Sequence, residues 1–159
     1  MSQTESSERA ANVRFPPPLI YVAFILVGGA LAYAVPLPVP GPRYLSIAGG
    51  VAIGLGGIWL IADAWKLFRR TGQDPAPWKP SPELVFSGSY RYTRNPMYLG
   101  LTSIQVGVGM VLNNLWVSLL AGLSLLTVHF IAVLPEESYL SEKFGESYRA
   151  YMIKVRRYL

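Results

Sequence analysis

From Asn95 to Pro135 the chain runs 41 residues without a formal charge. As one α-helix this run would be about 60 Å long, about twice the roughly 30 Å hydrocarbon core of a bilayer. It therefore has to fold back, and Asn113-Asn114 is the polar break near its middle. Both ends are crowded with polar chemistry. Tyr90-Arg91-Tyr92-Thr93-Arg94-Asn95-Pro96-Met97-Tyr98 stands before it, and Pro135-Glu136-Glu137 closes it. A membrane hairpin turning at the asparagines predicts Asn95 and Glu136 as neighbours, forming a polar site at one membrane face.

Two further apolar stretches complete the pattern. Leu19–Val35 and Tyr44–Ala62 are uncharged, and Met97–Leu112 and Leu115–Leu134 are the two arms of the hairpin. With 52% hydrophobic residues in 159, this predicts an all-α integral membrane domain over 19–159, after a polar tail at 1–18. Four transmembrane helices are expected, the last two as a C-terminal helical hairpin. Seventeen apolar residues behind a long leader exceed a usual signal-peptide core, so the first span is expected to be retained. Gly50 and Gly54 have the small-xxx-small spacing that lets helix backbones approach closely.

The net charge of +5 is unevenly placed. Arg9 and Arg14 precede the first span. Lys66, Arg69, Arg70, Lys79, Arg91 and Arg94 lie between the second and third. Lys143, Arg149, Lys154, Arg156 and Arg157 follow the fourth, and the first outer loop holds only Arg43. Under the positive-inside rule both termini and the middle segment face the cytosol from the cell (inner) membrane. Basic residues beside apolar spans meet anionic lipid headgroups, so membrane lipids rather than nucleic acid are the expected partners. The absence of cysteine excludes thiolate chemistry and Cys-ligated metal, and a single histidine excludes a multi-histidine site.

The remaining segments are shorter. Residues 74–82 hold four prolines and read as an irregular loop, and Ser87-Gly88-Ser89 reads as a turn. Over the last 22 residues Leu140, Phe144, Tyr148, Tyr151 and Val155 recur at helical spacing. This predicts one cytosolic amphipathic helix, lying on the bilayer or capping the polar site.

Asn95 and Pro96 suit the N-cap and first position of a helix. That helix end attracts anions, and Arg91 and Arg94 add positive charge beside it. Glu136 and Glu137 stand at the end of the fourth span. They either pair with Arg91 or Arg94, or meet a ligand's ammonium or ribose hydroxyls. The set suits a zwitterionic ligand. S-adenosyl-L-methionine has the carboxylate, the amine, and an adenine for Tyr90, Tyr98 or Tyr148 to stack on, although an interfacial aromatic belt also accounts for those tyrosines. Asn95, Tyr98, Thr102 and Gln105 form a polar line along one helix face. His129, seven residues before Glu136, is placed on the same face as the glutamate. The line is either a track for an amphiphilic acceptor, with His129 catalytic, or interhelical hydrogen bonding.

Two linked motifs then carry a resemblance. Gly88-x-Tyr90-x-x-x-Arg94-Asn95-Pro96-x-Tyr98-x-Gly100 is followed by Glu136-Glu137-x-x-Leu140-x-x-x-Phe144-Gly145-x-x-Tyr148-x-x-Tyr151. Over about residues 82–157 the chain resembles the isoprenylcysteine carboxyl methyltransferase family, which is related to phospholipid N-methyltransferases. The resemblance implies an integral-membrane transferase using S-adenosylmethionine. Carried over by motif, Leu84, Val85, Tyr90, Arg94, Asn95, Pro96, Met97, Tyr98, Glu136 and Glu137 would bind the cofactor. The eukaryotic prenylcysteine enzymes have histidine at the position of Asn95 and arginine at that of Ala132. The second difference points away from a prenylcysteine carboxylate and toward another amphiphilic or lipid-like acceptor, methylated on a carboxylate or an amine. The rival readings are a small four-helix transporter or scaffold, and a reductase with a similar hairpin. Gathering of charge at one face argues against transport, and no dinucleotide fingerprint supports a reductase.

Overall fold

The structure, a computed structural model, describes residues 16–70, 72 and 83–158. Residues 1–15 of the polar tail, the whole loop read at 74–82 and the residue Leu159 lie outside the described residues. Helix α1 spans Pro17–Ala34, α2 Arg43–Arg70, α3 Pro96–Val111, α4 Leu115–Val128, α5 Leu134–Phe144 and α6 Glu146–Lys154. A 3₁₀ turn covers Gly88–Arg91, and a π-helical segment, His129–Val133, joins α4 to α5. No strand occurs among the described residues. The protein is all-α as expected.

Three helical stretches are long and apolar enough to cross a membrane: Pro17–Ala34, Arg43–Arg70 and Leu115–Phe144. The third expected arm, Pro96–Val111, is apolar but shorter, at 16 residues. At 1.5 Å per residue it reaches about 24 Å, short of a roughly 30 Å core.

The described residues fall into two compact units. One comprises Pro16–Ile61 and Met97–Val128. Within it α1 packs against α4. Asn113 takes a left-handed φ of 56°, and Asn114 donates to Gly28 O at 3.1 Å. The Asn113 carboxamide accepts from Val39 N at 3.1 Å, Leu115 N donates to Leu37 O at 2.9 Å, and Trp116 Nε1 donates to Val35 O. The proline-rich 35–42 loop is thus tied to the asparagine turn. Arg43 donates to the carbonyls of Met110 and Val111, a cation at the C-terminal end of α3. Thr102 bonds the Tyr21 hydroxyl, and buried Gln105 spans Val117 O and Ser124 Oγ. The lower half of the polar line is therefore interhelical bonding, the second of its two readings.

Glycine decides how closely α2 and α3 approach. A Cβ on Gly107 would sit 2.5 Å from Gly50 O and 3.0 Å from Gly54 N. The Gly50/Gly54 spacing is used for packing, as it predicts.

The other unit comprises 62–96 and 129–158 among the described residues. Two expectations change here. The fourth helix was expected to stop near Leu134, leaving Glu136 and Glu137 at its C-terminal end. It runs on to Phe144, and both glutamates sit in the first turn of α5. Pro135 lacks an N–H and crowds the carbonyl four residues back. The widened π turn just ahead of it is where the helix passes that obstacle. The single C-terminal helix is also broken. Gly145 adopts φ 53°, ending α5 and starting α6, and Val155 is extended.

Adding a methyl at Gly107 forces backbone apart, whereas a Cβ on Gly56 meets nothing described within 4 Å. Gly107→Ala is expected to lose about 1–3 kcal/mol of stability, while Gly56→Ala loses none. Thermal unfolding of the two variants in the same detergent checks this. Equal midpoints would remove the packing role.

Candidate functional site

The site assembles within the unit of 62–96 and 129–158. Asp63, near the end of α2, accepts Ser89 N on Oδ2 at 2.8 Å. Gly88, at φ 58°, permits this approach, since a Cβ there would lie 2.6 Å from the same carboxylate oxygen. The pinned 3₁₀ turn presents Tyr90, whose carbonyl accepts the Tyr151 hydroxyl of α6 at 2.7 Å.

Arg94 and Glu137 meet at 3.4 Å, so segments before and after the long uncharged run come together, as the sequence predicts. The partner of Arg94 is Glu137 rather than Glu136. Glu137 is 8% exposed and is also gripped by Arg157, through Nε at 3.0 and 3.2 Å and Nη2 at 2.7 Å. The hydrogen bond to Glu137 raises the Arg157 guanidinium above its ordinary pKa. Arg157 O accepts Asn95 Nδ2 at 3.0 Å and the Thr93 hydroxyl at 3.1 Å, and Arg156 O accepts Arg94 N at 3.0 Å. The Asn95 amide thus binds the C-terminal segment. Pro96, fully buried, opens α3.

Leu84, Val85, Tyr90 and Arg94, four of the predicted cofactor residues, line one cavity of about 70 Å³ with Phe68, Glu83, Leu140, Tyr148 and Tyr151. The Arg94 side chain is only 10% exposed. Its Nε and Nη1 are buried and have no hydrogen-bond partner among the described residues. Leu84 and Val85 also line a groove of about 460 Å³ with Leu67, Arg70, Phe86, Ser87 and Arg91. Glu136 is half-buried, and its charge acts on Tyr90 and Tyr148. Met97 and Tyr98 belong to the other unit, where Tyr98 is buried and its carbonyl accepts the Tyr21 hydroxyl.

His129 opens the π segment, and its Nδ1 lies 2.9 Å from the Tyr158 hydroxyl. The i→i+5 turn between His129 and Glu136 breaks the simple seven-residue phase that placed them on one face. Ala132 is fully buried in the same segment.

Sequence reasoning missed Arg157, Tyr158, Thr93 and the role of Asp63. Arg157 stands among five basic residues of the C-terminal segment, and no spacing sets it apart from Arg156.

With this geometry in hand, comparison with known proteins is direct. The profile of the phospholipid methyltransferase family matches residues 45–147, well over half the chain. The chain belongs to that family. It is 39% identical over 72 residues to a protein-S-isoprenylcysteine O-methyltransferase of Schizosaccharomyces pombe, covering 45% of this chain and 30% of that protein. The chain thus spans under a third of that relative's length. It is also 38% identical over 63 residues to an uncharacterized protein of Haemophilus influenzae, covering 40% of this chain and all of the relative. Family and helices together make this a membrane protein of a methyltransferase family.

Burial pushes the Tyr90 and Tyr148 phenols well above their ordinary value, with nearby carboxylates adding to the shift. Tyr151 is pushed up to about 12 by burial, against the opposing pull of Arg94. Unfolded phenols ionise near pH 10, so the folded unit favours the neutral form. Its contribution to stability is complete below about pH 10 and is lost as the pH rises through about 12. The melting midpoint should be flat from about pH 7 to 9.5 and fall above about 10, with the tyrosinate absorbance of the buried phenols appearing only as the fold is lost. Tyrosinate titrating fully near pH 10 in the folded protein would contradict the burial.

Proposed function

We propose that this protein methylates an amphiphilic or lipid-like acceptor, using S-adenosylmethionine held in the unit that carries Arg94, Glu136 and the buried tyrosines. The observation that carries the reading is Arg94. It is a buried guanidinium on a cavity wall with two of its nitrogens, Nε and Nη1, unspent. A buried, unbonded cationic donor is costly unless an anion meets it. A ligand carboxylate supplies that anion. At about 70 Å³ the cavity takes only the amino-acid head of the cofactor. The groove of about 460 Å³ that shares Leu84 and Val85 is large enough for a nucleoside. Glu136 offers a carboxylate to the ammonium or to ribose hydroxyls.

When bound, the cofactor supplies an electrophilic methyl on a sulfonium whose charge is lost as the methyl leaves. The chain's own task is alignment and exclusion of water. Tyr90, Tyr148 and Tyr151 stay neutral at physiological pH and form a wall of low polarity. For an amine acceptor, His129 takes the released proton, oriented by its bond to Tyr158. A carboxylate acceptor needs no base.

In this reading α3 and α4 form a membrane hairpin, giving four membrane segments with a short third. The basic middle and C-terminal segments lie at the cytosolic face of the inner membrane, with both termini cytoplasmic. Membrane lipids are the neighbours and the source of the acceptor.

The test is isothermal titration of the detergent-solubilised protein with S-adenosylmethionine, followed by incubation with labelled cofactor and a membrane lipid extract. Wild type should bind and label a lipid-like product. Arg94→Ala and Glu136→Ala should each weaken cofactor binding on the order of 10–100-fold, the scale of a lost charge-assisted hydrogen bond. Absence of binding by wild type, or undiminished binding by both variants, would remove the assignment.

A further inference from the structure

We infer that Arg157 is a positioning residue that aims the Arg94 guanidinium into the cavity. The inference rests on the carboxylate-binding role given to Arg94 above. Arg94 is held from both sides by one short extended segment. On the backbone side, its N–H donates to Arg156 O, and the flanking Thr93 hydroxyl and Asn95 Nδ2 both donate to Arg157 O. On the side-chain side, Arg94 Nη2 forms an ion pair with Glu137 Oε1 at 3.4 Å. Glu137 is itself fixed by the two-pronged grip of Arg157. The single residue at 157 thus sets the main chain around Arg94 through its carbonyl and the side chain through its guanidinium.

The consequence is selective use of donors. A guanidinium has five N–H bonds in a rigid fork. With Nη2 turned toward Glu137, Nε and Nη1 are the nitrogens left without a partner among the described residues. Nη1 lies on the opposite side of the fork from the Nε–H, so a ligand carboxylate is met there by single charge-assisted bonds rather than by a two-pronged edge. Glu137 is therefore an internal ligand that orients Arg94, and it is not one of the groups that meet the cofactor.

An arginine that merely braces the fold and one that aims Arg94 make different demands. Decarboxylated S-adenosylmethionine keeps the sulfonium, the amine and the nucleoside but lacks the carboxylate. Binding of both compounds to the detergent-solubilised full chain is measured by calorimetry. Arg157→Ala should weaken S-adenosylmethionine on the order of tenfold or more and leave the decarboxylated compound within about twofold. Arg157→Lys neutralises Glu137 without the two-pronged grip and should fall between Ala and wild type. Retained binding of the decarboxylated compound also certifies that each variant is folded.

Arg94→Ala should show the same selective loss, and adding Arg157→Ala to it should cost little more. Equal loss of both compounds in Arg157→Ala, or loss of neither, overturns the inference while a selective Arg94→Ala result leaves the cofactor assignment standing. An unselective Arg94→Ala overturns the carboxylate role of Arg94, and the role of Arg157 with it.

Discussion

A buried carboxylate shared by two guanidinium groups is the constraint on which the site depends. Glu137 is almost fully removed from solvent, and a lone charge there is unfavourable by several kcal/mol after relaxation. Arg157 offsets that cost with charge-assisted hydrogen bonds, and Arg94 with an ion pair at 3.4 Å. The three residues come from widely separated parts of the chain: the segment before the long apolar run, the helix after it, and the last few residues. Their meeting joins the two halves of the family motif. Such a triad contributes less to net stability than to uniqueness, because any arrangement that separates the three leaves a charge unpaired in the interior.

Two backbone irregularities put that triad in place. The π segment lets one helix continue through Pro135, so that the acidic pair occurs inside a helix rather than at its frayed end. A frayed end has carbonyls that repel carboxylates, and a continuous helix does not. Gly145 then turns the chain so that α6 places Tyr148 and Tyr151 beside Leu84 and the cavity. The extended residues after α6 carry the carbonyls that Arg94, Asn95 and Thr93 use. In the other unit the organising force differs. Backbone approach at Gly50, Gly54 and Gly107 and side-chain bonds from Gln105, Ser124 and Asn114 stand in for a hydrophobic drive, which is weak between helices in lipid.

Much of this was legible from residue order. The polar break at Asn113-Asn114, the proline-rich loop and the glycine contact are local features, and the structure has a left-handed Asn113, an irregular 35–42 segment and the close glycine approach. The proximity of Arg94 to the acidic pair followed from the length of the uncharged run. The extent of the fourth helix was not legible, because a proline after an apolar run usually reads as a stop, and a π turn leaves no residue signature. The single C-terminal helix was drawn because its apolar spacing continues across Gly145. The spacing survives the break because both helices bury the same aromatic set.

The amino-acid order alone determined that this chain is helical, that its apolar runs suit a membrane, and which two polar clusters would meet. Those facts follow from period, length and charge, which act along the chain. Only the tertiary structure decided that Arg94 meets Glu137, that Arg157 grips the same carboxylate, and which nitrogens of Arg94 are left without a partner among the described residues. Those choices depend on where side chains three segments apart come to rest, and bond direction in a buried cluster is not written in any one of the segments.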